Sequence, residues 1–280
     1  MLECQQKKIF NMINGKIVSL SITSSRRLPM LERVLKAFSV FCNDLHIIDN
    51  IIFFDDSSTE EEKKKMETIL NFRFPVQKKI IKHFYPDSFP DAYRHSRILN
   101  EWREKLIETN TEYCFHLEDD YMFLDFFDLE TGIKVLDTKE ECGYVGYFQS
   151  YKKFPKEYQP KIFEVNNIKF WEWIYLPEKE LNESLFLDEA GAIQTLQGNG
   201  YWMMYINWPH FSLRPGIHNV KKLLSVGEFS TSYDMSTMRT ELEFSIRWAK
   251  QWKTYCHEKF MVLNLAWDES QSAYTLNNSN

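Results

Sequence analysis

Three short apolar runs in the first half of the chain constrain its fold more than any other feature, because each run ends abruptly in polar or acidic residues. The runs cover residues 16–22, 47–54 and 113–117, and residues 78–84 form a further β-rich run. Between these runs lie three segments with apolar residues at helical spacing. The first begins at residue 28, the second follows residue 60, and the third covers residues 91–108. Strands that alternate with helices predict an α/β fold with a mostly parallel central sheet and right-handed crossovers.

The segments after these strands carry the functional prediction, because the carboxyl ends of parallel strands meet at one edge of the sheet, where ligands bind. Glu118, Asp119 and Asp120 are consecutive acids at one strand end, and burial raises the pKa of such carboxyls unless a cation compensates. Carboxylate oxygens suit Mg²⁺ or Mn²⁺, which also hold nucleotide phosphates. Asp55 and Asp56, one strand earlier, are candidates to accept hydrogen bonds from a base or ribose. The alternative is that either acidic group only caps the next helix.

Composition excludes several other classes of protein. The chain has 280 residues, 44% of them hydrophobic, which is too apolar for disorder, and its net charge of −6 argues against a nucleic-acid partner. No apolar run approaches the roughly 20 residues of a transmembrane helix, and the N-terminal residues lack the apolar stretch of a secretory signal. Five scattered cysteines without a CxxC pair indicate reduced thiols. We therefore expect a cytoplasmic protein without a transmembrane segment.

The sequences VSLSITSSRRLPMLERVLKAF, IIFFDDSS and YCFHLEDDYMF, in this order, resemble the GT-A nucleotide-sugar glycosyltransferases, especially the family 2 type. The resemblance covers about residues 16–125. It implies that the acidic motif binds ribose through Glu118 at its first position and Mn²⁺ or Mg²⁺ through Asp120 at its last, with Asp119 between them. The further residues predicted to hold the nucleotide-sugar are Thr23, Ser25, Arg27, Asp55, Asp56 and Arg97.

The segment ELEFSIRWAKQWKT resembles the helix of this family that supplies the catalytic base, in which an acid precedes an arginine by six residues. This register selects Glu241, with Arg247 as the arginine, and Glu243 is the reserve. The two glutamates point about 200° apart on a helix, so only one faces the cleft. The resemblance implies that the base deprotonates an acceptor hydroxyl in a single displacement with inversion. The alternative is a helix-start glutamate stabilised by the helix dipole.

Weaker signals lie elsewhere in the chain. The aromatic stretch 169–176 is interpreted as core, and the polar stretch 228–240 as a mobile loop able to close over the donor. Several single residues have both a ligand-binding and a structural interpretation. These are Asn199 at a turn, His210 and Arg214 in a loop that could reach a diphosphate, His95 near a possible diphosphate position and His257 near a possible metal position. The structural interpretation is favoured for each of them.

These observations predict one compact GT-A-like domain with two halves. Residues 1–125 form the nucleotide-sugar-binding half, and residues 126–280 form the acceptor-binding half with the catalytic base. The predicted function is metal-dependent hexosyl or related transfer from a nucleotide-diphosphate sugar, UDP-sugar first, to a glycan or other hydroxyl acceptor. One alternative is a sugar-phosphate nucleotidyltransferase, although the first loop, TSSRR, lacks the glycines that such enzymes need. The other is a non-catalytic carbohydrate-binding protein on a nucleotide-binding fold.

Overall fold

A computed structural model describes residues 15–84, 91–148, 160–173, 210–231 and 237–265. Its strands are β1 (Val18–Ser24), β2 (Asn50–Asp56), β3 (Lys78–Phe84), β4 (Tyr113–Glu118), β5 (Tyr121–Phe123), β6 (Cys142–Gly146), β7 (Ile162–Val165), β8 (Ile168–Glu172), β9 (Gly216–Asn219), β10 (Lys253–His257) and β11 (Val262–Asn264). Its α-helices are α1 (Leu28–Phe41), α2 (Glu60–Arg73), α3 (Asp91–Glu108), α4 (Leu129–Thr138), α5 (Val220–Ser225) and α6 (Thr237–Ala249).

Nine of these strands form one sheet in the order β3-β2-β1-β4-β9-β6-β10-β8-β7. The strands β3, β2, β1 and β4 are parallel to one another, and β6 and β10 run in the same direction. Only β9 and β8 run against this direction among the described strands of the sheet. The predicted α/β architecture, with a mostly parallel sheet flanked by helices, is confirmed.

The first half matches its predicted elements closely, with small shifts at the boundaries. A 3-10 turn at Leu45–Ile47 precedes β2, so this strand begins at Asn50 and not at residue 47. The helix α2 begins with a capping box, in which Thr59 is the N-cap and Glu62 is its partner. The hydroxyl of the preceding Ser58 donates to Asp55.

Aromatic side chains fill much of the core. Phe38 on α1 packs against Phe115, Phe123 and Phe127, so α1 is fixed to the sheet through β4 and β5. Burial of each such ring contributes about 1.5–3 kcal/mol to folding. The core interpretation of residues 169–176 is confirmed for the three aromatic residues that the structure describes, Phe170, Trp171 and Trp173, which are buried.

The second half contains elements that were not predicted from the sequence. These are the reversed strand β9, the β7–β8 hairpin and the strand β10. The turn at Asn199 and part of the loop over 228–240 lie outside the described residues. In the described part of the chain, the helices are either too short or too polar to cross a membrane. Cys42, Cys114, Cys142 and Cys256 are buried free thiols.

Candidate functional site

The ends of three parallel strands converge at one edge of the sheet. Because β1 lies between β2 and β4, Ser24 pairs with Asp55 on one side and Thr23 pairs with Glu118 on the other. The predicted convergence of the loops that follow β1, β2 and β4 is confirmed. The amide of Asp119 donates to the carbonyl of Thr23, which fixes the acidic turn directly against β1.

Asp119 is fully buried and accepts hydrogen bonds from the loop after β1. The hydroxyl of Ser24 donates to its Oδ2 at 2.8 Å, and the amide of Ser25 donates to the same atom at 3.0 Å. The guanidinium of Arg27 contacts both of its oxygens. Burial raises the pKa of Asp119 to about 6 although the charge of Arg27 lowers it. The carboxylate of Asp119 therefore holds the first loop in place, and both of its oxygens have partners.

Asp120 has one paired and one unpaired oxygen. Arg27 Nη1 donates to Asp120 Oδ2 at 3.0 Å, whereas the buried Oδ1 has no hydrogen-bond partner within the described residues. An orphaned carboxylate oxygen at this edge fits a divalent cation. In the described ranges no three His, Cys, Asp or Glu side chains are grouped to hold a metal ion by themselves. Mg²⁺ and Mn²⁺ fit this arrangement, since such ions are held by one or two carboxylates together with substrate phosphates and water.

The two aspartates at the end of β2 differ in their surroundings. Asp55 is fully buried, and its oxygens accept hydrogen bonds from the hydroxyl of Ser58 and from His83 Nδ1 at 3.0 Å. Asp56 is partly exposed, and burial raises its pKa. Arg94 Nη1 lies 3.4 Å from Asp56 Oδ1. Of this pair, Asp56 is the acid that faces the cleft.

The α3 helix brings Arg94 to this edge, and the predicted nucleotide contact of Arg97 stays a prediction. Arg94 is buried and also donates to the hydroxyl of Ser57 at 2.8 Å, while Arg97 lies on the exposed side of the helix. Sequence reasoning missed Arg94, and its position one helical turn before Arg97 was the available signal.

Two residues beside the cleft have left-handed backbone conformations that non-glycine residues rarely adopt. Arg26 has a φ of 52° and Ser57 a φ of 67°. Arg26 Nε donates to the carbonyl of Ser57 at 2.9 Å, so the loops after β1 and β2 hold each other. Such conformations cost roughly 1–3 kcal/mol each and cluster at functional sites.

Glu241 on α6 lies beside the strand-end acids. The amide of Leu213 donates to its Oε1 at 3.1 Å, and the Ser212 side chain forms a further hydrogen bond with it. Burial raises the pKa of Glu241, and the positive charge of Arg214 lowers it. Burial also raises the pKa of Glu118 well above its usual value, and the charges of Asp120 and Glu241 raise it further. The structure thus brings the predicted base to the predicted donor acids.

Glu243, the reserve candidate for the catalytic base, does not share the surroundings of Glu241. Arg247 donates to Glu243 through Nε at 2.7 Å and through Nη2 at 2.9 Å, and it also donates to the carbonyls of Val226 and Glu228. Arg247 therefore contacts Glu243 rather than Glu241. As predicted from the helix geometry, the two glutamates have different surroundings, and the one beside the acidic edge is Glu241.

The loop before β9 supplies a cation that sequence reasoning ranked low. Arg214 lies close enough to lower the pKa values of both Glu241 and Tyr121, a tyrosine whose pKa is raised chiefly by burial. The carbonyl of Arg214 accepts a hydrogen bond from the hydroxyl of Tyr144 at 2.6 Å, which fixes the loop against β6. Arg214 therefore lies near Glu241, and the interpretation that it does not reach a diphosphate stays a prediction.

The structure gives partners or surroundings for the other histidine candidates, His95, His210 and His257. His95 neighbours His116 in the interior, and burial lowers its pKa to about 4. His210 accepts from the amide of Thr254 on β10, and the ring of His257 stacks on Tyr147. The structural interpretation therefore accounts for all three.

Solved structures with a similar fold include glycosyltransferases. The mannosyltransferase PcManGT from Pyrobaculum calidifontis, in complex with GDP-Man and Mn²⁺, has a TM-score of 0.56 and 12% identity; the match covers 93% of this chain and 60% of that one. TarS from S. aureus has a TM-score of 0.51 and 8% identity, with 88% of this chain and 36% of that one covered. TarS 1-349 has a TM-score of 0.50 and 9% identity, with 88% and 59% covered.

The fold of the chain is therefore GT-A-like, as the sequence resemblance implies. The chain spans less than two thirds of the length of each of these structures. No family model and no curated protein sequence matches it. At these identities the likeness shows the fold.

Proposed function

We propose that the protein is a metal-dependent glycosyltransferase that moves a sugar from a nucleotide-diphosphate sugar to an acceptor hydroxyl, with inversion. The observation that carries the proposal is that Glu118, at the end of β4, lies close enough to Asp120 and to Glu241 for their charges to raise its pKa. A structural neighbour in complex with GDP-Man and Mn²⁺ supports both a nucleotide-sugar donor and a divalent ion. The cytoplasmic location and the division into donor and acceptor halves at residue 125 belong to the same proposal.

The donor side uses the residues at the ends of β1, β2 and β4. Asp120 Oδ1, which has no partner among the described residues, would hold a divalent ion, and such an ion would supply positive charge to a departing diphosphate. Asp56, oriented by Arg94, and Glu118 accept hydrogen bonds from the nucleoside. Thr23, Ser25 and Asp119 shape the first loop through the contacts described above.

On the acceptor side, Glu241 removes the proton from the acceptor hydroxyl as that oxygen attacks the anomeric carbon. The raised pKa of Glu241 makes it a stronger base than an exposed glutamate, which suits proton abstraction near neutral pH. The amide of Leu213 occupies Oε1 and orients the carboxylate. The attack and the departure of the diphosphate take place on opposite faces of the sugar, so the chain needs no nucleophile.

Calorimetry with UDP and with GDP, each with and without Mn²⁺, tests the donor side. The UDP-sugar prediction rests on the sequence resemblance. GDP is included because PcManGT was solved in complex with GDP-Man. We expect one nucleotide to bind in the presence of Mn²⁺ and to bind more weakly without it. A panel of nucleotide sugars then identifies the donor by released diphosphate. Nucleotide binding without transfer would favour the carbohydrate-binding alternative, and no nucleotide binding at all would contradict the proposal.

Replacement of the proposed base separates transfer from donor binding. We expect Glu241→Gln to lower the transfer rate by about 10²–10⁴-fold, the usual contribution of a general base, and to leave nucleotide affinity unchanged. Glu243→Gln is the matched control on the same helix, because Glu243 is paired with Arg247. Full activity of Glu241→Gln, or a larger loss in Glu243→Gln, would contradict the assignment.

A further inference from the structure

We propose that Arg27 makes metal binding conditional on donor binding. In the nucleotide-free protein, the guanidinium of Arg27 donates a hydrogen bond to Asp120. When the donor binds, its diphosphate accepts this hydrogen bond in place of Asp120. The divalent ion and the nucleotide therefore bind cooperatively. This inference rests on the proposed function and deepens it. It assigns to Arg27 a positioning role that the nucleotide-contact prediction does not contain.

The first argument is how the Arg27 guanidinium is divided between two carboxylates. Its Nε and Nη2 atoms contact Asp119, while Nη1 alone contacts Asp120 Oδ2 at 3.0 Å. Asp119 is itself fixed by Ser24 and by the amide of Ser25. One side of the guanidinium is therefore anchored, and the contact with Asp120 can break without release of Arg27 from the loop.

The second argument is competition for a single carboxylate. Asp120 has one unpaired oxygen, and no ready-made group of three or more His, Cys, Asp or Glu ligands surrounds it within the described ranges. The guanidinium of Arg27 forms ion pairs with Asp119 and Asp120, and an arginine side chain in a protein always carries its positive charge. A divalent cation at Asp120 must therefore share one carboxylate with the positive charge of Arg27, which is hydrogen-bonded to the same group. We therefore expect the ion alone to bind weakly.

The third argument is the chemistry that removes this competition. A guanidinium fork matches phosphate oxygens as well as it matches a carboxylate, and a diphosphate adds ligands for the ion at the same time. Donor binding thus gives Nη1 an alternative acceptor and completes the coordination of the ion. Because coupling between two ligands is reciprocal, the ion strengthens nucleotide binding by the same factor, typically about 5–150-fold.

Mn²⁺ binding to the full chain, measured by electron paramagnetic resonance without and with the nucleotide found above, tests this coupling without reliance on transfer. We expect the nucleotide to tighten Mn²⁺ binding at least about fivefold in the unmodified protein. Arg27→Lys keeps one charge for Asp119 but cannot bridge both carboxylates. We expect this variant to bind Mn²⁺ several-fold more tightly without nucleotide, with a coupling factor that falls toward one. Arg33→Lys is the control, because Arg33 is exposed on α1, and its Mn²⁺ affinity should equal that of the unmodified protein.

Each outcome bears on one of the two proposals. An unchanged coupling factor in Arg27→Lys overturns the role of Arg27 and leaves the proposed function standing. Absence of Mn²⁺–nucleotide coupling and of transfer in the unmodified protein overturns both. If Arg27→Lys does not fold, the inference is tested on the unmodified protein, through the nuclear magnetic resonance signal assigned to Arg27 Nε. We expect this signal to shift with nucleotide plus Mg²⁺ and not with Mg²⁺ alone, and an unmoved signal overturns the inference.

Discussion

At the end of β2, two consecutive aspartates have different surroundings and therefore different expected roles. Asp55 is buried with His83 and Ser58 as partners, whereas Asp56 is partly exposed beside Arg94. We expect Asp55→Asn to lower the free energy of unfolding by about 1–3 kcal/mol, because a buried hydrogen-bond partner is altered, and to change nucleotide affinity little.

Asp56→Asn should show the reverse pattern, a loss of nucleotide affinity with a smaller loss of stability. Urea unfolding and nucleotide titration of both variants measure the two effects. If Asp55→Asn lost affinity while its stability stayed unchanged, the assignment of roles would be exchanged. The same experiment tests the predicted nucleotide contact of Asp55, which its full burial argues against.

At the residue scale, the sequence shows which acids stand at strand ends but not which oxygens remain available. The position of Asp120 follows from the apolar run before it, so its place at the sheet edge was predictable. Its unpaired Oδ1, in contrast, depends on how Arg27 divides its donors, and such geometry is set by packing between distant segments. The position of Arg94 beside Asp56 depends in the same way on how α3 docks against β2.

At the scale of elements, the close approach of Gly216 to Tyr144 links β9 to the cleft. A Cβ at Gly216 would lie 2.5 Å from Cζ of Tyr144, whose hydroxyl holds the carbonyl of Arg214. We expect Gly216→Ala to destabilise the protein by about 1–3 kcal/mol through overpacking and to reduce kcat/KM by displacing the Arg214 loop. Urea unfolding and steady-state kinetics measure the two effects.

Tyr144→Phe is the control for this crowding, because it removes the hydrogen bond to Arg214 and keeps the ring. We expect a smaller loss of stability, about 0.5–1.5 kcal/mol, from the absence of that hydrogen bond. Equal stability of Gly216→Ala and the unmodified protein would show that the tyrosine ring moves aside without cost.

The elements of the first half were predictable because long apolar runs and helical stripes repeat there without interruption. The second half lacks such patterns. The strand β9, GIHN, has four residues and one aliphatic side chain, so neither alternation nor length identifies it. The β7–β8 hairpin did carry a usable signal, since Asn166 and Asn167 form its turn with φ values of 54° and 62°, as adjacent asparagines favour.

At the scale of the whole molecule, buried histidines make stability depend on pH. Burial lowers the pKa of His116 to about 3 and the pKa of His218 well below its usual value, and His218 stacks on Tyr144. In the unfolded chain these histidines have a pKa of about 6.5. Below that pH they bind protons in the unfolded chain but stay neutral in the folded protein. The contribution of these histidines is therefore complete above that pH and is lost as the pH falls.

His218→Phe removes one such group and keeps a ring against Tyr144. We expect the free energy of unfolding to fall less steeply in this variant than in the unmodified protein, by about 1.4 kcal/mol per pH unit below pH 6. The raised pKa values of Asp119, Glu118 and Glu241 act in the opposite direction, and they are common to both proteins. Urea unfolding at several pH values between 7 and 4 measures the slopes, and equal slopes would contradict this account.

The reversed direction of β9 has a consequence for how this scaffold changes over evolutionary time. Because β9 runs against β4 and β6, the chain enters the sheet at the same edge from which its neighbours leave it, and Leu213 and Arg214 arrive there as part of a connection. Exchanges or insertions in that connection alter the surroundings of Glu241 while β1, β2 and β4 keep their residues. Under the proposed function, changes in this connection would therefore alter the choice of acceptor and leave the donor site as it is.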